Sequence, residues 1–170
     1  MFCFVRNPLT WYESWFKYMR MPERNWFNWG NSKDLYNWHP NSVLNNLGGE
    51  SFSDFVSNVN SKRPGYVSEL FGWYTQSKID FIGKQESLAD DLIKVLKAMK
   101  IEFDENFIKD FRKVNVSTRT ELTWPQEILN KTVLLEYSSF IRYGYHEILD
   151  RIGFNEKMII RKTKKPHSNK

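Results

Sequence analysis

A chain of 170 residues and 20.4 kDa has the size of one domain and can bury a core. Hydrophobic residues at 41% and aromatics at 16% exclude a disordered chain. The formal charge of +5 suits an anionic ligand, but Arg161, Lys162, Lys164, Lys165 and Lys170 account for that whole excess; residues 155–170 read as a solvated basic tail, with attachment to a polyanion as the alternative.

Phe2-Cys3-Phe4-Val5 is a continuous apolar run and predicts a buried strand. Cys3 is the only cysteine, so no internal disulfide forms, and its place in the run makes it a small core residue. Asn7 suits a helix N-cap and Pro8 the first helical position, so a helix is predicted over residues 8–20, with Trp11, Trp15, Tyr18 and Met19 at helical spacing. Arg6 thus lies where a strand turns into a helix, and Ser14 follows two helical turns on. A guanidinium fork, a hydroxyl and free N–H groups at a helix start together suit a phosphate. Taken alone, an arginine at a strand end such as Arg6 reads most often as half of a surface ion pair.

Pro22, Gly30, Pro40, Gly48 and Gly49 break any regular pattern over residues 21–48. Trp26, Phe27, Trp29, Tyr36 and Trp38 nevertheless predict a packed loop, since leaving aromatics wet forfeits about 1.5–3 kcal/mol each. Phe52, Phe55, Val56 and Val59 mark one face of a short helix over 51–59, and Lys62-Arg63-Pro64-Gly65 reads as a turn. Phe71–Tyr74 reads as an extended approach to a strand at Ile79–Ile82. A helix is predicted from Leu88 to Lys100, opened by Ser87 and Asp90 as a variant capping box and carrying Leu88, Leu92, Val95, Leu96 and Met99 as its apolar stripe. A short helix near Glu105–Phe111 and a final helical region from Pro125 to Ile152, with a break, complete the reading.

Three stretches resemble one family. Strand, Arg6-Asn7-Pro8 and Ser14 resemble the 3′-phosphate-binding segment of sulfotransferases that use 3′-phosphoadenosine 5′-phosphosulfate (PAPS). Ile79-Asp80-Phe81-Ile82-Gly83-Lys84-Gln85-Glu86-Ser87-Leu88 is similar to the family's FIGRFENL pattern, and Ile141–Phe154 to its closing helix and aromatic end. Asn115-Val116-Ser117 resembles its NKS loop, with valine for lysine. Order and spacing agree over residues 2–154.

The resemblance implies an α/β fold, a remnant of a P-loop-like parallel sheet in a predominantly helical chain. Residues 1–154 would form a partial sulfotransferase domain, with Arg6 and Ser14 binding the 3′-phosphate of PAPS. It also implies sulfuryl transfer to an acceptor hydroxyl, with a carbohydrate as the expected acceptor. No GxxxxGK(S/T)-like or PKxGTT-like loop occurs in the sequence. The family's general base also falls upstream of its Arg/Ser segment. The chain therefore looks like the C-terminal portion of such a domain, inactive alone and prone to self-association or to completion by a first half. Gln85 stands where many members carry a tyrosine near the adenine, and Glu86 reads as a structural carboxylate at the strand end.

His39, His146 and His167 lack metal-ligand spacing, so no metal is expected. A non-catalytic nucleotide-phosphate module and a basic, aromatic-rich nucleic-acid binder are the alternative functions. The lack of a signal-peptide pattern and of any span points to a cytoplasmic protein.

Overall fold

A computed structural model of the chain describes residues 1–21, 40–76, 78–112 and 121–154. The expectations for Trp26 to Trp38, Asn115–Ser117, His39, His167 and residues 155–170 lie outside them. The described part is mostly helical, with a small sheet of two parallel strands, β1 (Phe2–Val5) and β2 (Phe81–Lys84). Phe2 pairs with Phe81, Cys3 with Ile82, Phe4 with Gly83 and Val5 with Lys84. The second strand thus begins and ends two residues later than its apolar run suggested, because its register follows the pairing with β1.

Helix α1 (Pro8–Met19) starts as its sequence dictates: Pro8 fills the first turn and the Asn7 side chain accepts from the Leu9 amide at 3.0 Å. It buries Leu9, Tyr12, Phe16 and Met19. A 3₁₀ helix at Pro40–Leu47 occupies part of the stretch read as irregular. Helix α2 (Phe52–Lys62) is closed at its start by a reciprocal box in which Ser51 Oγ accepts from the Asp54 amide and the Asp54 carboxylate accepts from the Ser51 amide. Its Phe52, Phe55, Val56 and Val59 face the core as the spacing predicted.

Phe71–Tyr74 is not extended. It ends helix α3 (Tyr66–Tyr74), whose start is turned by Gly65 at φ +73°. Three aromatics and a glycine with no clear alternation left this segment ambiguous, and packing decided it: Phe71 is buried against the Tyr143 ring at 5.7 Å between centroids.

Helix α4 (Leu88–Ala98) follows β2 through a 3₁₀ turn at Gln85–Ser87. Ser87 makes no capping bond to it; its hydroxyl donates to Asp91 instead, at 2.8 Å. The Asp91 carboxylate also accepts from the Lys84 amide at 2.8 Å, which turns the Asp91–Val95 side of the helix toward the sheet. Ile93 and Val95 are buried, and the expected stripe is broken because Leu88 and Met99 lie exposed at its ends. Helix α5 (Glu105–Asp110) is capped by Asp104, and α6 (Gln126–Leu135), α7 (Tyr137–Arg142) and α8 (His146–Arg151) form the C-terminal region.

One core cluster joins these parts: Val5 from β1, Tyr12 and Phe16 from α1, Phe55 and Val59 from α2, Val67 and Phe71 from α3, and Val133, Phe140 and Leu149 from the last three helices. No described helix is long and apolar enough to cross a membrane.

Candidate functional site

Parallel strands followed by helices place ligands beyond their carboxyl ends, where backbone amides and side chains of successive turns converge. Arg6 follows the last residue of β1 and Gln85 the last residue of β2. Together with Trp11, Ser14, Trp15 and Tyr18 of α1, they line a cavity of about 180 Å³. The two residues singled out for phosphate, Arg6 and Ser14, therefore share one cleft.

Arg6 is half-buried. Its Nε donates to Thr10 Oγ1 at 3.0 Å, and among the described residues no carboxylate forms an ion pair with it. Burial pulls its pKa below the ordinary value for a guanidinium, while the charges of Glu86 and Glu13, and Tyr145 after them, push the other way. Both carboxylates are engaged elsewhere. Glu13 accepts from the Trp124 indole at 2.7 Å. Glu86 accepts from the Asn7 amide at 2.8 Å with one oxygen and from the Tyr145 hydroxyl at 2.9 Å with the other. It therefore ties the turn after β1 to the turn after β2 and to the C-terminal helices, in the structural role its strand-end position suggested. Tyr145 is held further by Lys84, whose ammonium stands 4.6 Å from the ring centre and donates to the Gly144 carbonyl at 2.7 Å. Burial first, and the Glu86 charge and hydrogen bond after it, push the Tyr145 pKa up.

Ser14 is half-buried, and its hydroxyl makes no hydrogen bond among the described residues. The aromatic wall beside it is ordered by helical spacing: Trp11 and Trp15 stack with centroids 5.9 Å apart and planes 13° apart, and Trp15 and Tyr18 at 5.4 Å and 24°. Tyr12 and Phe16 of α1 belong to the core, whereas Trp11, Trp15 and Tyr18 pack against it and also present a face to the cleft.

The arrangement offers a cationic fork, a hydroxyl, a neutral amide at Gln85 and apolar ring surface. That set can hold an oxyanion attached to a ring-bearing group. It contains no nucleophile paired with a base. Among the described residues no group of His, Cys, Asp and Glu side chains gathers as a metal site, and His146 is exposed at the start of α8.

The sequence reading missed Thr10, Tyr145 and Glu136. Thr10 left a faint signal in its spacing four residues after Arg6. Glu136 left one as a lone acid between Leu134-Leu135 and Tyr137 in an apolar stretch. Tyr145 left none, since its contact with Glu86 spans 59 positions. Compared with known proteins, the chain matches no family model, no curated protein and no solved structure.

Proposed function

We propose that this chain carries the nucleotide 3′-phosphate site of a PAPS-dependent sulfotransferase domain, acting on a hydroxyl acceptor of carbohydrate type. The observation that supports it most is the convergence of the Arg6 guanidinium and the Ser14 hydroxyl on one cleft at the carboxyl end of a parallel strand pair. The P-loop-like sulfotransferase fold belongs to the same proposal.

PAPS supplies an activated sulfuryl group for in-line transfer to the acceptor oxygen. Arg6 and Ser14 hold the far end of that donor by charge and hydrogen bonds, and the ring wall limits water around the phosphate. The transfer itself needs donors around the 5′-phosphosulfate and a base for the acceptor hydroxyl. The 170 residues contain no loop motif of the kind that cradles a 5′-phosphosulfate, so binding without turnover is the expected behaviour of this chain by itself. A partner-completed or purely binding module uses the same grip.

Calorimetric titration at low salt tests the reading. Adenosine 3′,5′-bisphosphate is expected to bind better than 5′-AMP, which lacks the recognised phosphate. Arg6→Ala should cost more than Ser14→Ala, and Arg6→Lys should not restore it, because lysine cannot present a planar fork. Equal binding of the two nucleotides, or an Arg6→Ala chain that is folded and binds unchanged, would reject the proposal.

A further inference from the structure

The hydroxyl of Thr10 has one proton, and it is committed: Thr10 Oγ1 donates to the Asn7 carbonyl at 3.2 Å. Its remaining lone pairs can only accept, and Arg6 Nε donates to them at 3.0 Å. The reference point of this pair is rigid. Asn7 caps α1 through Leu9, its carbonyl also accepts from the Trp11 amide at 2.9 Å, and its own amide is held by Glu86.

We infer that Thr10 is a positioning residue that locks the Arg6 guanidinium so that only its terminal Nη1/Nη2 edge is offered to the cleft, making the site selective for a phosphate monoester over a diester. The inference rests on the phosphate-site reading above and deepens it by naming the ligand's phosphate class. With Nε engaged, the guanidinium grips two oxygens end-on, and the Ser14 hydroxyl lining the same cleft supplies a third donor. A monoester presents three terminal oxygens and up to two charges to these donors. A diester presents two oxygens and one charge, so its charge-assisted bonds to the same donors are weaker.

The test titrates the full chain and its variants with adenosine 3′,5′-bisphosphate and with adenosine 3′,5′-cyclic monophosphate, a diester. The wild-type chain should prefer the bisphosphate. Thr10→Val keeps the shape and removes the acceptor; it should weaken bisphosphate binding about fivefold to tenfold, while Thr10→Ser stays within about twofold. Thr10→Ala, a strong helix former, carries the same expectation as Thr10→Val should valine disturb α1. Thermal unfolding checks that each chain is folded. If Arg6→Ala abolishes binding but Thr10→Val and Thr10→Ala bind as wild type, or Thr10→Ser loses as much as they do, Thr10 does not position Arg6 and only this inference falls. Equal binding of the cyclic nucleotide by the wild-type chain overturns the monoester selectivity. Undiminished binding by Arg6→Ala removes the phosphate site and this inference with it.

Discussion

The Tyr12 hydroxyl donates to the Glu136 carboxylate at 2.7 Å across 124 positions of sequence, and neither side chain reaches solvent. Glu136 sits between α6 and α7 and faces the start of α3, where it also accepts from the Val67 amide at 3.0 Å, the Ser68 amide at 2.7 Å and the Ser68 hydroxyl at 2.6 Å. A carboxylate at a helix start meets unpaired N–H groups and the positive end of the dipole. Burial, and the Glu136 charge after it, push the Tyr12 pKa well up, so the phenol remains a donor throughout the usual pH range. Through this one side chain, α1 with its cleft residues is fastened to the C-terminal helices.

Removing that carboxylate strands buried donors. Glu136→Leu is expected to cost about 3–5 kcal/mol and Glu136→Gln about 1–3 kcal/mol, since glutamine still accepts but carries no charge. Urea denaturation measures both. A Glu136→Leu chain with an unshifted midpoint would show that the network adds nothing.

Gly83 lies in the stretch Phe81–Lys84 that pairs with β1, and a β-carbon there would stand 2.5 Å from Phe4 Cε1 and 3.1 Å from Asp91 Cβ. The Phe4 ring on one side and the base of the Asp91 side chain on the other leave little room to give way. Gly83→Ala is therefore expected to destabilise the chain by about 1–3 kcal/mol through strain, despite alanine's lower unfolded-state entropy. Stabilisation in a thermal melt would contradict this packing.

Asp91 titrates with a sign that the geometry fixes. Burial raises its pKa, but hydrogen bonds from the Lys84 amide, Lys94 and Ser87 outweigh it and hold the carboxyl below its ordinary value. A depressed folded-state pKa means that its contribution is complete above the unfolded value of about 3.9 and is lost as pH falls through the lower folded value. Stability measured from pH 6 to pH 2 should fall below about pH 4, and Asp91→Asn should flatten that limb while lowering the plateau. An unchanged acid limb in Asp91→Asn would assign the acid sensitivity to other carboxylates.

Ser51 and Ser87, each directly before a helix, separate cleanly. Ser51→Ala should destabilise by about 1 kcal/mol because it opens the box at α2, whereas Ser87→Ala leaves the α4 amides as they were and removes one donor from Asp91. Amide exchange distinguishes them: the first turn of α2 should exchange faster in Ser51→Ala, and the first turn of α4 should hardly change in Ser87→Ala. Equal acceleration at both helix starts would be inconsistent with the observed bonds.

What the sequence determined by itself is local. The Phe2–Val5 strand, the Asn7-Pro8 start of α1, the buried face of α2 and the position of Arg6 and Ser14 follow from side-chain spacing and from capping chemistry that acts within about four residues. Tertiary structure decided the rest. Phe71–Tyr74 became helical where Glu136 meets the start of α3 and Tyr143 covers its end, and α4 turned its Asp91 side inward because the Lys84 amide needed an acceptor. The cleft exists because Glu86 joins the ends of two strands 79 positions apart through the Asn7 amide, and Thr10 aims Arg6 only once that turn is held. Such bonds link groups whose separation along the chain carries no local preference, so their burial and pairing energies are realised only when the whole core closes.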